Sequence, residues 1–327
     1  WAPPLNMGRF ASAIVLCGAA WAAGGVLAQQ APAAEASERA YFEDLPVVLS
    51  VSRLAQPLDE VPGAVTIIDR ELIRRSGARE VADVLRLVPG FLVTRRNGAN
   101  SVATYHGAQD IYGARMQVYV DGRSVYSSFY LGDTHRGLQG IVLEDVERIE
   151  VLRGSNSASY GANAFLGMVN IITRHAADSQ GGMVSLTRGD KGIDDGVARI
   201  GWVAGDVNLR LTASHRRDRG LDQVHDDSVL AQVHLRADWN PRPSDEVRLN
   251  AGSMRSRFGE GTRPAATNPG NIERMIDWED VYVNASWRRD LGDGEEVAVH
   301  ASYERDAYSD SHAAAGDIDA DRADSDD

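Results

Sequence analysis

The stretch LEDVERIEVLRGSNSASYGANAFLGMVNIIT, residues 143–173, decides how the rest of this 327-residue chain is read. An acidic turn leads into an apolar run at Ile149, Val151 and Leu152. A loop of small residues follows, and a second apolar run over 168–172 closes the stretch. Gly154, Gly161 and Gly167 fall where a side chain would obstruct a turn or a close backbone approach. On these terms alone it is two strands of an α/β domain joined by a Gly/Ser/Asn loop.

Upstream, the β-branched run Val65-Thr66-Ile67-Ile68 predicts a strand, after which Asp69 caps a short helix that Gly77 ends. Val81, Val84, Leu85 and Val88, at i, i+3, i+4 and i+7, predict a second helix that stops at Pro89-Gly90. Strands are expected over 91–94 and 102–106. A hairpin over 117–126 turns at Asp121-Gly122, a pair suited to positive φ. Residues 61–175 then make one domain of ordinary size.

The order Ile149-Glu150-Val151-Leu152-Arg153-Gly154, then Tyr160-Gly161, Ala164, Gly167 and Val169-Asn170-Ile171-Ile172-Thr173, closely resembles the end of the plug domain of TonB-dependent outer-membrane receptors. Val118-Tyr119-Val120-Asp121-Gly122 resembles a second plug landmark. Ser155 departs from the family, which usually has Pro after Arg-Gly. The resemblance implies an α+β plug domain followed by antiparallel transmembrane β-barrel strands, with Glu150, Arg153, Gly154, Tyr160, Gly161, Gly167 and Asn170 as the plug's structural motif. It further implies a receptor that imports a scarce ligand, such as a siderophore or cobalamin, by energy-coupled rearrangement of the plug. No bond is made or broken and no cofactor is expected. The implied partners are the periplasmic domain of TonB, a small-molecule ligand and outer-membrane lipid.

Two sets of site residues follow from the resemblance. In the family, the segment between leader and plug holds the TonB box, which pairs edge to edge with its periplasmic partner. Val47, Val48, Leu49, Ser50, Val51 and Ser52 form an extended apolar run there, and Pro46, which has no N–H to donate, marks its start. The plug loops near 95–116 and 123–140 would face the external cavity. They carry Tyr105, His106, Tyr112, Tyr126, Phe129, Tyr130 and His135, which could clasp a ligand by stacking and hydrogen bonding or simply fill the space between plug and wall. Two histidines without a spacing motif do not predict a metal site.

At the start of the chain, Arg9 and the apolar run over 10–27 read as a secretory signal, residues 7–28, with residues 1–6 as upstream translated sequence. Residues 29–60 form an Ala/Pro/charge-rich leader that includes the TonB box. Cys17, the only cysteine, lies in the signal, so the mature chain is expected to have no disulfide, thiolate ligand or Cys nucleophile. The net charge of −13 argues against nucleic acid as a partner.

After His175 the texture becomes strict alternation. Val207, Leu209, Leu211 and Ala213 alternate with Asn208, Arg210, Thr212 and Ser214. Val229, Ala231, Val233, Leu235, Ala237 and Trp239 oppose Gln232, His234, Arg236 and Asp238, and the pattern recurs around Val281 and Val297. Alternation also fits a soluble sheet with one wet face. Strand length near the ~9–11 residues of a tilted membrane strand, and Trp202, Trp239, Trp287 and Tyr303 at the ends of the apolar faces, favour a barrel with an interfacial girdle over residues 176–327. About seven strands are counted, against roughly 22 in a plugged transporter, so an amino-terminal fragment is expected. The Asp-rich tail over 317–327 places Arg322 where a calcium loop needs Gly, and reads as a solvated extracellular loop.

There is no Ser/His/Asp elbow, phosphate loop or HExxH helix, so an enzyme is not expected. The alternatives are a secreted plug-derived binding or signalling module, a truncated nonfunctional fragment, and, without a catalytic constellation to support it, a periplasmic hydrolase.

Overall fold

Capping residues and β-branched runs shape the first part of the chain. The structure, a computed structural model, describes residues 47–49, 55–57, 64–95, 101–106, 113, 115–127, 133–154, 161, 163–221, 224–261, 273–293, 295–310 and 321–326. All of these lie in the compact unit Leu45–Asp327. The predicted signal and most of the leader fall outside the described residues.

Strands β1 (Val47–Leu49) and β2 (Ala55–Pro57) pair antiparallel. Strand β3 (Ala64–Asp69) runs into helix α1 (Arg70–Ser76), where the Asp69 carboxylate accepts from Leu72 N at 2.7 Å and Gly77, at φ 67°, ends the helix. Helix α2 (Val81–Leu85) is shorter than its apolar stripe. Leu87 N and Val88 N continue it with tighter bonds to Val84 O and Leu85 O, because Pro89 disfavours the helical region for the residue before it. All four stripe residues are buried to 1% exposure or less.

A hairpin of β4 (Phe91–Arg95) and β5 (Ser101–Tyr105) follows. Strands β6 (Met116–Val120) and β7 (Arg123–Ser124) meet at Asp121 (φ 48°) and Gly122 (φ 86°), the two positive angles of a tight hairpin turn. The 123–140 segment is not all loop, since it holds the short buried helix α3 (His135–Gln139). Strands β8 (Val146–Arg153) and β9 (Gly167–Thr173) complete a sheet of order β3-β8-β9-β6-β7, in which only β6 and β9 run parallel. Ile149, Val151, Val169 and Ile171 are fully buried at its centre.

The remaining strands form one antiparallel meander: β10 (Gly181–Arg188), β11 (Asp194–Ala204), β12 (Val207–Asp218), β13 (Ser228–Arg242), β14 (Asp245–Glu260), β15 (Arg274–Gly292), β16 (Glu295–Asp310) and β17 (Asp321–Asp326). There are eight strands in this sheet, not seven. The difference is β17, which corrects the reading of the whole tail as a solvated loop. Main-chain bonding to the edge of β16 needs no apolar side chains, so the pattern-based reading missed it.

Burial along these strands is inverted relative to a soluble sheet. Arg210, Thr212, Gln232, Arg236, Asp238 and Asn284 are 4% exposed or less, whereas Val184, Leu186, Ile200, Val281 and Val299 are exposed at 74%, 81%, 53%, 45% and 54%. A sheet whose polar face is covered and whose apolar face is bare has lipid, not water, on its outside. Trp202, Trp239 and Tyr303 lie on that bare face.

Candidate functional site

The covered polar face of the eight-stranded wall meets the amino-terminal domain, and charged side chains from both sides converge there. The register sets the inward residues in rows across the strands, so a charge on one strand has neighbours at the same height.

The β6–β7 turn is one centre. Asp121 accepts from Thr173 N at 3.0 Å, Thr173 Oγ1 at 2.6 Å and Asn250 Nδ2 at 3.3 Å, while its main-chain oxygen accepts from Asn284 Nδ2 at 3.1 Å. Arg236 donates to Thr173 Oγ1 at 2.6 Å and lays its fork on Asp238 at 2.7 and 2.9 Å. Asp238 in turn accepts from Ala176 N at 2.8 Å. Nearby, Arg199 and Arg210 converge on Asp145 at 3.2 and 3.5 Å.

Arg79, just ahead of α2, bridges Asp195 (2.8 Å) and Asp218 (2.7 Å) at the ends of β11 and β12. Burial works to lower its pKa, but the bonds to the two carboxylates outweigh that and hold it above the ordinary arginine value. Arg123 of β7 pairs with Glu304 and lies 4.0 Å over the Tyr282 ring. Burial again opposes its charge, and Glu304, Tyr282 and Asp280 more than compensate, so its pKa is raised. Carboxylate oxygens of Asp280, Glu304 and Asp306 lie within 4.8 Å of one another. Such a trio could ligate a divalent cation, but here Arg123 supplies positive charge and Ser127 Oγ donates to Asp306 at 3.2 Å. Arg136 of α3 is enclosed by aromatic rings from three wall strands: Trp278 at 4.5 Å, Tyr308 at 5.3 Å and Phe258 at 5.6 Å.

Of the predicted ligand residues, Tyr105 and His106 are brought together, with ring centroids 4.0 Å apart. Tyr105 is half-buried and packs on Phe91 at 5.4 Å, whereas His106 is exposed at φ 55°. Tyr126 is half-buried, and His135 is buried beside Gly113. Tyr112, Phe129 and Tyr130 lie outside the described residues, as does Tyr160 of the predicted structural motif. The other residues of that motif are described. Glu150 accepts from Asn170 and Arg148, Arg153 reaches Pro89 O at 3.5 Å, and Gly154 and Gly161 take φ 103° and 89°. A Cβ on Gly167 would come within 2.6 Å of Leu152 O. Val47, Val48 and Leu49 form β1, while Ser50, Val51 and Ser52 lie outside the described residues.

Sequence reasoning missed Arg79, Arg123 and Arg136 as anchors. The signal available was the wet face of each strand, which carries charges of both signs. Their partners, 116 residues away for Arg79 and 181 for Arg123, could not be read from spacing.

Residues 57–168 match the family model described as TonB-dependent Receptor Plug Domain. Over 143 residues, 44% of this chain, the sequence is 32% identical to the vitamin B12 transporter BtuB of Vibrio vulnificus, of which it covers 23%. It is 30% identical over 209 residues to the ferric enterobactin receptor PirA of Pseudomonas aeruginosa, covering 60% of this chain and 28% of that protein. Among solved structures, the fold is similar to the ferripyoverdine receptor of the Pseudomonas aeruginosa outer membrane, with a TM-score of 0.63 at 16% identity over 81% of this chain and 37% of that one. The siderophore receptor PirA from Acinetobacter baumannii gives a TM-score of 0.61 at 18% identity, over 80% and 43% of the two chains. The chain thus spans 23% to 28% of the length of these two curated relatives.

Proposed function

We propose that the chain is the plug and first barrel strands of a TonB-dependent outer-membrane receptor, and that the whole protein imports a scarce small molecule by energy-coupled rearrangement of that plug. The family is one of transporters and receptors, and the relatives named for vitamin B12 and for ferric enterobactin support a ligand of the cobalamin or ferric-siderophore class. The observation that carries the reading is the polar seat of the plug. Ion pairs and hydrogen bonds to the wall can be exchanged for bonds to water when the plug moves, which a large apolar contact could not do at similar cost.

In this reading residues 7–28 are the signal, 29–60 the leader, 61–175 the plug and 176 onward the barrel wall. Val47, Val48 and Leu49, with Ser50, Val51 and Ser52, are the segment that TonB engages. Strand β1 uses one edge for β2, and its other edge suits an added strand. His106 and Tyr126, with Tyr112, Phe129 and Tyr130, belong to the ligand-facing loops, whereas Tyr105 ends β5 and His135 is buried in α3.

The test is fractionation of the native organism combined with uptake of radiolabelled cobalamin and ferric siderophores, with and without a protonophore. The expected result is an outer-membrane band that shifts on heating and uptake that the protonophore abolishes. A soluble periplasmic band would overturn the reading.

A further inference from the structure

Three rings stand together on the inward, mostly polar face of the wall. Phe258 is on β14, Trp278 on β15 and Tyr308 on β16, so three adjacent strands supply one each. Trp278 and Tyr308 are directly paired in register, with ring centroids 5.8 Å apart and planes at 67°, and Phe258 lies one row nearer the strand ends. Trp278 and Tyr308 also belong to an apolar cluster with Leu230 and Met254.

The plug meets this recess with a charge. Helix α3 has an apolar residue available, Leu138, but that side chain is buried in the plug's own core. What enters the recess is Arg136, 4% exposed, whose guanidinium carbon lies within 5.6 Å of all three ring centroids. The counter-charge, Asp133, accepts from Arg136 Nε at 3.3 Å and belongs to the plug. Ring faces attract a flat, weakly hydrated cation beyond what burial alone gives an apolar group. The rings come from the wall alone, so the recess stays with the wall if the plug moves.

The recess lies at the end of the wall where the connections are long. Phe258 and Tyr308 are two residues from the ends of their strands at Glu260 and Asp310. Beyond those ends come the connections 261–273 and 311–320, whereas 243–244 and 293–294 join the strands at the opposite end. Long connections mark the outer end of a membrane barrel.

We propose that Phe258, Trp278 and Tyr308 form a binding site for a guanidinium group, kept filled in the seated plug by Arg136 as an internal occupant. When α3 withdraws, the site passes to a guanidinium or similar organic cation on a molecule entering from the outer end. That transfer rests on the import reading. The site itself does not, and its test involves no transport, so either can fail without the other.

The test uses the full-length receptor in outer-membrane vesicles, with hydrogen exchange of the α3 amides as readout and methylguanidinium as probe. Arg136→Ala should lower α3 protection about tenfold or more. Millimolar methylguanidinium should restore most of the loss, while its neutral analogue methylurea restores none. Pairing of the probe with Asp133 alone is separated by combining Arg136→Ala with Trp278→Leu, in which restoration should vanish. No restoration in Arg136→Ala, or restoration that survives the loss of Trp278, would overturn the site. If Arg136→Ala does not assemble, the wall side is read with Arg136 in place. Trp278→Leu should then loosen α3 severalfold more than Trp278→Phe, which keeps a ring face, and equal loosening would overturn the site as well.

Discussion

Asn170 donates from Nδ2 to Glu150 Oε2 at 2.9 Å inside the plug sheet, where the two residues are directly paired across β8 and β9 and are 2% and 0% exposed. Arg148 Nε donates to the other carboxylate oxygen at 2.8 Å. A carboxylate this deep is tolerated because its oxygens are bonded. Asn170→Ala removes the donor and leaves the charge, and should cost about 2 kcal/mol. Glu150→Gln keeps the shape without the charge and should cost less. Hydrogen exchange at the β8 amides of the assembled receptor reads both, and unchanged protection in Asn170→Ala would show the bond to be dispensable.

Gly167 is needed for space. A methyl group there would press on Leu152 O at 2.6 Å, and neither strand can retreat within a five-stranded sheet. Gly167→Ala should therefore cost about 1–3 kcal/mol, the range for overpacking. Gly182→Ala, where a Cβ meets nothing within 4 Å, is the matched control and should be near neutral. Thermal melts of the two variants should differ by several degrees, and equal melts would refute the packing argument.

These elements were legible because their causes are local. Asp69 and Gly77 bound α1, Asp121-Gly122 turns the β6–β7 hairpin, and period-2 alternation marks the wall strands. Helix α3 was not legible. Five residues with a Gly at 137 show no apolar period, and what holds the helix is contact, since a Cβ on Gly137 would lie 2.5 Å from the Val125 side chain. The same holds for the plug's seat. The charges at Arg210, Arg236, Asp280 and Glu304 were visible as a wet face. That this face is buried against Asp145, Asp121 and Arg123 depends on folding over more than a hundred residues in most cases. The predicted ligand residues were chosen for ring type and loop position, which does not tell an exposed His106 from a buried His135.

Helix α1 offers a dependence on pH. Hydrogen bonds from Arg74 (3.0 Å) and Arg75 (2.8 Å) hold the Glu71 carboxyl below its ordinary value. A pKa lowered by folding stabilises the helix above the unfolded group's pKa, and that contribution disappears as pH falls through the lower, folded value. The residues are exposed, so the effect is small and sensitive to salt. Protection factors for the α1 amides in wild type and Glu71→Gln should differ near pH ~6 and converge as pH falls well below the ordinary Glu value of ~4.3. A difference that persists in acid would point to packing and not charge.

The plug's seat on the far wall turns on Arg123. Its guanidinium faces three clustered carboxylates, and its side chain and that of Glu304 are only 7% and 18% exposed. Arg123→Met keeps much of the bulk but removes the positive charge, leaving Asp280, Glu304 and Asp306 to repel one another in a site with little water. Breaking a buried pair from one side costs about 3–5 kcal/mol, so protection of the β6–β7 amides in outer-membrane vesicles should fall by at least a hundredfold, on the order of that energy. Glu304→Gln should do less harm, because Arg123 keeps two carboxylates and the Tyr282 ring as partners. The order of the two variants is the decisive reading. If Glu304→Gln loosens the hairpin as much as Arg123→Met does, the pair itself holds the plug and the other two carboxylates are bystanders.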